Sequence, residues 1–455
     1  MSTWMERPEL AAYLARQRWF AGAQQVTVTQ VQPLAWLSDP SSNPGVRFEI
    51  VSVLCGAEPA VYNVPLSYRI EPREDLSYGF IGAVPIDDRI FYVYDALHDP
   101  EARATLLGGF VEGAEPPADL RYDRLPGFAL EPGVDNVLLG AEQSNTSVVA
   151  GDALVKFFRR LSPGANPDIE VQEALTLAGS DEISPLLGWI RGGGFDLAMA
   201  GLFQRSATDG WDTARASVRA LRDDAVRARE AGGDFAGEAE RLGAATLAVH
   251  LRMRELLPTA AWGPAEIDAL VARLNRRLDA VVAAHPVVAE HAAGARAAYD
   301  RIDRSLPVAV QRIHGDFHLG QTLRTSAGWK IIDFEGEPSR PLEDRIRLDS
   351  PLRDLAGMLR SFDYVAHSIP AMTGVISLDP SIDEAALADD WVRRNQIAFL
   401  LGYGFERSDA MVALLRAYEI DKAVYEVAYE ADHRPDWMGI PLRALTALIA
   451  AADVR

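Results

Sequence analysis

Hydrophobic and polar positions divide the chain into a strand-rich first part and a helix-rich second part. Residues 8–17 predict a short helix, and residues 27–93 alternate apolar with polar or small side chains, as half-buried strands do. Short apolar stretches between residues 137 and 199, interrupted by the turn signal Gly192-Gly193-Gly194, predict five strands of one small antiparallel sheet. From about residue 204 the apolar spacing becomes three and four residues, which predicts helices.

This pattern predicts an α+β fold with three regions. Residues 1–96 are expected to form a β-rich N-terminal cap, residues 97–203 an intermediate subdomain, and residues 204–455 a helical lobe. The segment 112–134 is dense in Pro and Gly and is interpreted as a linker or long loop. His250 lies on a predicted helix and is expected to be packed or hydrogen-bonded rather than a ligand. Further helices are predicted at residues 264–284, 288–304, 384–403 and 408–430.

Composition and charge exclude several classes of function. Of the 455 residues, 48% are hydrophobic and 24% are charged, as in globular proteins. Lys and Arg total 45 against 65 Asp and Glu, and the formal charge of -20 disfavours binding to nucleic acid or to anionic membranes. The single cysteine, Cys55, excludes an internal disulfide and a cysteine metal cluster. Because no apolar run approaches about 20 residues and no signal-peptide pattern is present, a cytoplasmic protein without a membrane span is expected.

One segment of the helical lobe carries the residues of a chemical site. Asp316 follows His314-Gly315, an amide side chain, Gln321, comes five residues later, and Asp333 follows Asp316 by seventeen residues at the end of an apolar stretch. This is the spacing of phosphoryl-transfer kinases. The alternative interpretation of Asp316 is a loop turn or a helix cap.

Phosphoryl transfer explains why these residue types are needed. A carboxylate must orient and deprotonate the attacking hydroxyl, a role predicted for Asp316. Hard oxygen ligands must hold Mg²⁺ against the phosphates of ATP, a role predicted for Gln321 and Asp333. A cation anchored by a carboxylate must contact the phosphates, and Lys156 with Glu170 is predicted to supply it. The alternative interpretation of Lys156 is an exposed strand lysine.

Longer sequence motifs resemble those of the actinobacterial maltokinases, within the aminoglycoside-phosphotransferase-like kinases. The resemblance covers nearly the whole chain and is far more specific than the kinase residues alone. The motifs that carry it are Arg16 to Gly22, Ala141 to Ser147, Val155 to Arg160, Asn166 to Glu170, Asp333 to Pro338, Ser350 to Phe362 and His433 to Trp437.

The resemblance implies a bilobal protein-kinase-like fold with an extra N-terminal cap. It implies an ATP- and Mg²⁺-dependent enzyme that phosphorylates the anomeric hydroxyl of maltose to give maltose 1-phosphate, a donor for α-glucan synthesis. Such an enzyme needs only small-molecule partners, and a monomer is expected. One position departs from the wider kinase pattern, since Gln321 stands where most relatives have Asn.

The same resemblance assigns residues to the two ligands. It makes Gln143, Ser144, Asn145 and Thr146 the nucleotide loop, whose N–H groups and hydroxyls can contact phosphate without a glycine-rich motif. Met199 and Gly201 fall in the segment that would receive adenine, and the alternative interpretation of this segment is simply the end of a strand. His314 joins Asp316 in the substrate set, and the sugar is expected to lie against Lys422, Glu426, Tyr429 and Trp437. The alternative for that helix is a surface Lys/Glu pair with buried aromatic rings.

Two other classes of function remain open from the sequence. A kinase of another small molecule, such as glucosamine or an aminoglycoside, would share the kinase residues without needing the maltokinase motifs. A catalytically silent nucleotide-binding protein is the non-enzyme alternative, and the presence of every required catalytic group disfavours it.

Overall fold

The computed structural model describes residues 8–20, 26–56, 58–86, 88–140, 144–224, 229, 233–337, 340–373 and 384–453. Backbone packing separates the chain into two units. The first unit comprises Met1–Glu173 and Ser184–Phe203, and the second comprises Ala174–Ile183 and Gln204–Arg455.

The elements of the first unit, with α3 continuing into the second, run as follows in chain order: α1 (Pro8–Ala15), β1 (Val26–Pro33), β2 (Gly45–Arg47), β3 (Glu49–Cys55), β4 (Glu58–Asn63), β5 (Leu66–Arg69), β6 (Phe80–Ile86), β7 (Arg89–Asp95), α2 (Pro100–Leu107), β8 (Leu120–Arg124), β9 (Asn136–Leu138), β10 (Asn145–Ala150), β11 (Ala153–Phe158), β12 (Arg160–Leu161), α3 (Pro167–Leu177), β13 (Leu186–Gly192) and β14 (Phe195–Leu202).

Three antiparallel sheets organise this unit. Two four-stranded sheets, in the orders β1-β3-β4-β12 and β2-β5-β7-β6, form the cap region. The third sheet has the order β8-β13-β14-β11-β10-β9. The cap shares a hydrophobic core with the third sheet. Val46 and Phe48 of the cap lie in one buried cluster with Val148, Val155 and Phe157 of that sheet.

The third sheet has six strands among the described residues, so the prediction of five strands is wrong by one. The extra strand, β8, lies inside the segment that the sequence analysis interpreted as a linker. Prolines and glycines flank this strand rather than interrupt it. Within the strand, Leu120 is buried and Tyr122 is partly buried, whereas Arg121 and Arg124 are exposed. A five-residue strand between two breaker-rich stretches gives too short an alternation to be recognised.

The second unit is mainly helical. Its elements are β15 (Thr208–Asp209), α4 (Gly210–Asp224), α5 (Ala236–Leu256), β16 (Thr259–Trp262), α6 (Pro264–Ala284), α7 (Ala292–Asp300), β17 (Val308–Gln311), β18 (Thr322–Thr325), β19 (Gly328–Ile331), α8 (Leu342–Arg345), α9 (Leu352–Thr373), α10 (Glu384–Tyr403), α11 (Asp409–His433) and α12 (Gly439–Asp453).

The helices predicted at 264–284, 384–403 and 408–430 are confirmed by α6, α10 and α11. The helix predicted at 288–304 is shorter than expected, because a 3₁₀ turn at Pro286–His291 precedes α7. In a 3₁₀ turn, as in an α-helix, residues three apart lie on the same side. The spacing of apolar residues therefore does not distinguish a 3₁₀ turn from the first turn of an α-helix. Among the described residues, no helix combines the length and apolar character needed to cross a membrane.

Helices α5 and α10 pack at a distance set by two glycines. A Cβ atom added at Gly243 would lie 2.1 Å from the carbonyl oxygen of Phe399, and one at Gly402 would lie 1.9 Å from that of Glu240. Both separations are far below contact distance, and the atoms that would be met are backbone. The crossing therefore requires glycine on each helix.

We expect Gly243→Ala to lower the free energy of unfolding by about 1–3 kcal/mol, because the new methyl group forces α5 and α10 apart. Gly237→Ala is the matched control on the same helix, since its Cβ would meet only the flexible end of Arg241, at 3.6 Å. Thermal denaturation followed by circular dichroism measures both variants. Equal midpoints for the two would contradict the close-packing interpretation.

Candidate active site

The loop that carries Asp316 is held by a carboxylate from another helix. The backbone N–H groups of His314 and Gly315 donate to the two oxygens of Asp354 on α9, at 2.7 and 2.8 Å. Gly315 has a φ of 84°, a left-handed conformation that glycine adopts without strain. The loop between β17 and β18 therefore has a fixed backbone at the position of Asp316.

Asp354 is in turn held by His250, which is buried and hydrogen-bonded, as the sequence predicts. His250 Nε2 lies 3.0 Å from Asp354 Oδ2, and its Nδ1 lies 3.0 Å from the hydroxyl of Tyr403. Burial raises the pKa of Asp354, but the hydrogen bond and charge of His250 outweigh it, so the pKa is lowered. The carboxylate that organises the loop is thus ionised at neutral pH.

Asp316 contacts a lysine that the sequence analysis placed in the same site. Lys422 Nζ on α11 lies 3.3 Å from Asp316 Oδ1. Burial alone raises the pKa of Asp316, but the Lys422 ammonium, followed by His318 and His314, lowers it to about 2. Within the described ranges no group donates to Asp316 Oδ2, so this oxygen of an ionised carboxylate is available to accept a proton.

His314 is positioned to support the loop. Its Nε2 lies 2.9 Å from the carbonyl oxygen of Ile332, and its Nδ1 is 3.4 Å from the backbone N of Asp316. These contacts hold the His314 ring against backbone atoms through both of its nitrogens. The predicted contact of His314 with substrate stays a prediction, while its contacts in the structure are with the backbone of the site.

Gln321 and Asp333 come together as their spacing predicts. Gln321 Nε2 donates to Asp333 Oδ2 at 3.0 Å, and Gln321 Oε1 accepts no hydrogen bond from any described residue. Asp333 adopts a φ of 67°, a conformation that residues other than glycine seldom adopt. Such strain is found where a side chain must be aimed for function.

In the first unit, Lys156 forms an ion pair with a helix carboxylate, but through a residue that sequence reasoning did not select. Lys156 Nζ lies 3.2 Å from Asp168 Oδ2 on α3. The other oxygen of Asp168 accepts from Gln172 Nε2 at 2.7 Å. The anchoring role predicted for Glu170, two residues further along the same helix, stays a prediction.

The nucleotide loop is described only in part, since Gln143 lies outside the described residues. Asn145 Nδ2 lies 3.4 Å from the Ser144 hydroxyl. Thr146 is already in β10, and its hydroxyl accepts from Arg159 Nε at 2.8 Å. Contacts of this loop with phosphate stay a prediction.

The two predicted adenine-contacting residues lie in β14, near its end. Met199 is buried and pairs with Lys156 across the sheet, which places the strand beside the predicted phosphate-binding lysine. Gly201 pairs with Leu154 on one side and Leu186 on the other. Adenine binding at Met199 and Gly201 stays a prediction.

The predicted sugar-binding residues of α11 differ in their surroundings. Glu426 is buried, and its Oε2 accepts from Arg360 Nε and Nη2 at 2.9 and 2.8 Å. Tyr429 is 37% exposed and stacks on His433 with ring centroids 4.5 Å apart. Trp437 faces the guanidinium of Arg434 at 4.5 Å. Lys422 and Tyr429 thus have surfaces open to a ligand, whereas the contact described for Glu426 is an ion pair.

Glu337 is a further charged residue near Asp316 that sequence reasoning missed. It is buried and forms an ion pair with Arg340. Burial raises the pKa of Glu337, but Lys422 and Arg340 lower it. For the Lys422 ammonium the effects are reversed: burial lowers its pKa, and the charges of Asp316, Glu337 and Glu426 raise it above its ordinary value. Lys422 therefore remains an ammonium among three carboxylates.

Comparison with known proteins identifies two domains. Residues 13–99 match the family described as the maltokinase N-terminal cap domain. Residues 220–374 match the phosphotransferase enzyme family, and this range contains Asp316, Gln321, Asp333 and Asp354.

Two similar proteins are named glucosamine kinase. The protein from Streptacidiphilus jiangxiensis is 28% identical over 358 residues, which is 74% of this chain and 78% of that protein. The protein from Mycolicibacterium smegmatis (strain ATCC 700084 / mc(2)155) is 34% identical over 143 residues, 30% of this chain and 34% of that protein.

A solved structure shares the fold. It is described as a glucosamine kinase in complex with glucosamine, ADP and inorganic phosphate, and it aligns with a TM-score of 0.68 at 22% identity, covering 98% of this chain and 99% of its own. The expected α+β kinase-like fold with an N-terminal cap is thereby confirmed. The chain is therefore similar to the maltokinase N-terminal cap domain over residues 13–99 and to the phosphotransferase enzyme family over residues 220–374.

Proposed function

We propose that this chain is an ATP-dependent maltokinase that transfers the γ-phosphoryl group of ATP to the anomeric hydroxyl of maltose. The observation that carries the proposal is the ionised carboxylate of Asp316, paired with Lys422 on a loop fixed by Asp354. The match of residues 13–99 to the maltokinase cap supports maltose as the acceptor.

Asp316 would act as the general base of the transfer. Its free Oδ2 accepts the proton of the sugar hydroxyl as the bond between that oxygen and the γ-phosphorus forms and the bond to the β-phosphate oxygen breaks. ADP and maltose 1-phosphate are the products. Lys422 keeps the carboxylate ionised before the reaction and remains close to the charge that develops on the acceptor oxygen.

Gln321 and Asp333 fit a Mg²⁺ ion by the chemistry of their donor atoms. A carboxylate and an amide oxygen are hard ligands of the kind that Mg²⁺ prefers, and Gln321 is fixed by its hydrogen bond to Asp333. The ion, when bound with ATP, neutralises negative charge on the phosphates. Gln321 has a longer side chain than the Asn of most relatives, but its amide nitrogen is held by Asp333, so its amide oxygen can serve as the metal ligand.

Lys156 would bind the α- and β-phosphates, and the nucleotide loop would contact phosphate through its N–H groups and hydroxyls. The ion pair with Asp168 supports the role of Lys156, because an anchored ammonium loses little further freedom when it binds an anion. Glu170, Met199 and Gly201 keep the roles given by the family resemblance.

A glucosamine kinase is the second candidate, favoured by the two similar proteins that carry that name. Glucosamine differs from maltose by having a single ring and an ammonium group. The match of residues 13–99 to the maltokinase cap favours maltose over glucosamine.

The deciding experiment measures ADP release by the purified full-length protein with maltose, glucose, glucosamine, trehalose and kanamycin. We expect the highest kcat/KM for maltose. A higher kcat/KM for glucosamine would replace the proposal with the second candidate. Absence of ADP release with every sugar would favour a silent nucleotide-binding protein.

We expect Asp316→Asn to reduce kcat by at least about 100-fold, because the amide cannot accept the hydroxyl proton. The substitution keeps the shape of the side chain, so binding of Mg²⁺-ATP, measured by isothermal titration calorimetry, should persist. Turnover close to that of the unaltered protein would exclude Asp316 as the base.

We expect Lys422→Met to move the acidic limb of the kcat/KM profile to higher pH. The carboxylate of Asp316 faces Lys422, His314 and His318, and without the ammonium the effect of burial raises its pKa. Protonation then removes the base at a pH where the unaltered protein is active. Lys330→Met is the matched control, since Lys330 is bonded to the carbonyl oxygen of Asp181 in a different part of the unit. Identical profiles for the two variants would show that Lys422 does not set the charge of Asp316.

We expect Tyr429→Ala to reduce the ratio of kcat/KM for maltose to that for glucose by at least about tenfold, since the exposed ring would cover an apolar face of the second glucosyl unit. Comparing two sugars on one variant cancels any general loss of stability. Tyr78→Ala, which removes a ring that is 68% exposed in the cap, is the control. An unchanged ratio for Tyr429→Ala would reject the predicted sugar site on α11.

A further inference from the structure

A buried arginine on α9 holds the carboxylate of Glu426. Arg360 Nε and Nη2 donate to Glu426 Oε2 at 2.9 and 2.8 Å, and Arg360 Nη1 donates to Asp363 Oδ2 at 2.6 Å. All three side chains are buried. One guanidinium is therefore shared between a carboxylate on α11 and a carboxylate on its own helix. Because a guanidinium presents its N–H groups in a rigid fork, these bonds fix the direction of the Glu426 carboxylate.

The two oxygens of Glu426 have different surroundings. Oε2 accepts both bonds from Arg360, whereas nothing in the described part of the chain donates to Oε1. Glu426 is only 8% exposed, and a buried carboxylate oxygen without a donor is costly. A sugar hydroxyl is a donor that would satisfy Oε1.

Glu426 lies one helical turn from the lysine that contacts the predicted base. Lys422 and Glu426 are four residues apart on α11 and share a face, and Lys422 Nζ lies 3.3 Å from Asp316 Oδ1. Burial raises the pKa of Glu426, and the charges of Arg360 and Lys422 offset this only in part. Arg360 thus affects both the direction and the charge of Glu426.

The arginine is itself held by a chain of ion pairs that reaches the surface. Asp363 Oδ1 accepts from Arg443 Nη2 on α12 at 2.6 Å, and Arg443 Nη1 donates to Asp389 Oδ1 on α10 at 2.7 Å. The side chain of Arg443 is 37% exposed. Asp363 thus places one oxygen on each arginine. Without Arg443, the full charge of Asp363 would attract Arg360 and draw its guanidinium away from Glu426.

We propose that Arg360, Asp363 and Arg443 are positioning residues for the sugar and act through Glu426, whose Oε1 accepts a hydrogen bond from a sugar hydroxyl. The proposal rests on the proposed function only in taking the sugar to lie against α11. It predicts that a substitution at the surface of α12 raises KM for the sugar while the affinity for Mg²⁺-ATP stays the same.

The test combines Arg443→Gln with Glu426→Gln in the full-length protein. Each substitution removes one charge, and the double variant shows whether Arg443 acts through Glu426. Arg443→Lys keeps a cation beside Asp363. Arg394→Gln is the matched control in the same unit, since Arg394 forms an ion pair with Asp234 and its side chain is 38% exposed. Steady-state kinetics gives kcat and KM for the sugar, calorimetry gives the Kd for Mg²⁺-ATP, and thermal denaturation gives Tm.

We expect KM for maltose to rise about tenfold in Glu426→Gln and roughly threefold in Arg443→Gln, with the Kd for Mg²⁺-ATP unchanged. The double variant should have the KM of Glu426→Gln alone, because a residue that acts through a carboxylate has no effect once that carboxylate is gone. Arg443→Lys and Arg394→Gln should keep the KM of the unaltered protein, even if Tm falls.

Four results would overturn the proposal. An unchanged KM in either Glu426→Gln or Arg443→Gln would remove one end of the chain of ion pairs. A further rise of KM in the double variant would mean that Arg443 acts by another route. An equal rise in Arg394→Gln would make the effect one of general stability. A rise in Arg443→Lys equal to that in Arg443→Gln would show that the charge on Asp363 is not the cause.

Failure of the proposed function gives a different result. If the unaltered protein prefers glucosamine to maltose, maltose as the acceptor is rejected, and the same variants compared with glucosamine still decide the role of Arg443. If the unaltered protein phosphorylates no sugar, both proposals are overturned.

Discussion

The bond between the Asp354 carboxylate and two consecutive backbone N–H groups is the constraint on which the site of the second unit depends. His314 is buried and Gly315 is partly buried, and their N–H groups would lose these partners if the carboxylate were removed. Their bonds place Asp316 one residue further along the chain, with Gln321 in the 3₁₀ turn that follows. The site is therefore formed before any ligand binds, which spares the ligand the cost of ordering the loop.

Several buried carboxylates have a cation as partner, although the whole chain has a net charge of -20. In the second unit Lys422 contacts Asp316 and Arg360 contacts Glu426, and in the first unit Lys156 contacts Asp168. The excess of negative charge is thus not a property of the site. Because a buried ion pair is strongly destabilised when one partner is lost, substitutions here affect stability as well as chemistry. Conservative replacements that keep shape are needed to separate the two.

Sequence reasoning found the residues whose relation is local. Asp316 and Gln321 lie between β17 and β18, and Asp333 comes just after the hairpin of β18 and β19, so spacing along the chain predicts their meeting. Asp354 was within a motif of the family resemblance but received no role, since its partners lie about 40 residues earlier and no short pattern links them. The ion pair of Lys156 with Asp168 could not be selected over one with Glu170 from spacing alone, because both carboxylates lie in the first turn of α3.

The pairing of β12 with β4 has a consequence for the synthesis of the protein. The sheet β1-β3-β4-β12 takes three strands from the first 63 residues, but its fourth strand is Arg160–Leu161. A nascent chain that has emerged only as far as β7 therefore leaves the β4 edge unpaired, and an exposed edge is a template for mispairing. The first sheet of the cap is complete only after β10 and β11 of the third sheet have been synthesised, because β12 follows them in the chain. A pause in synthesis before β12 therefore leaves this sheet one strand short.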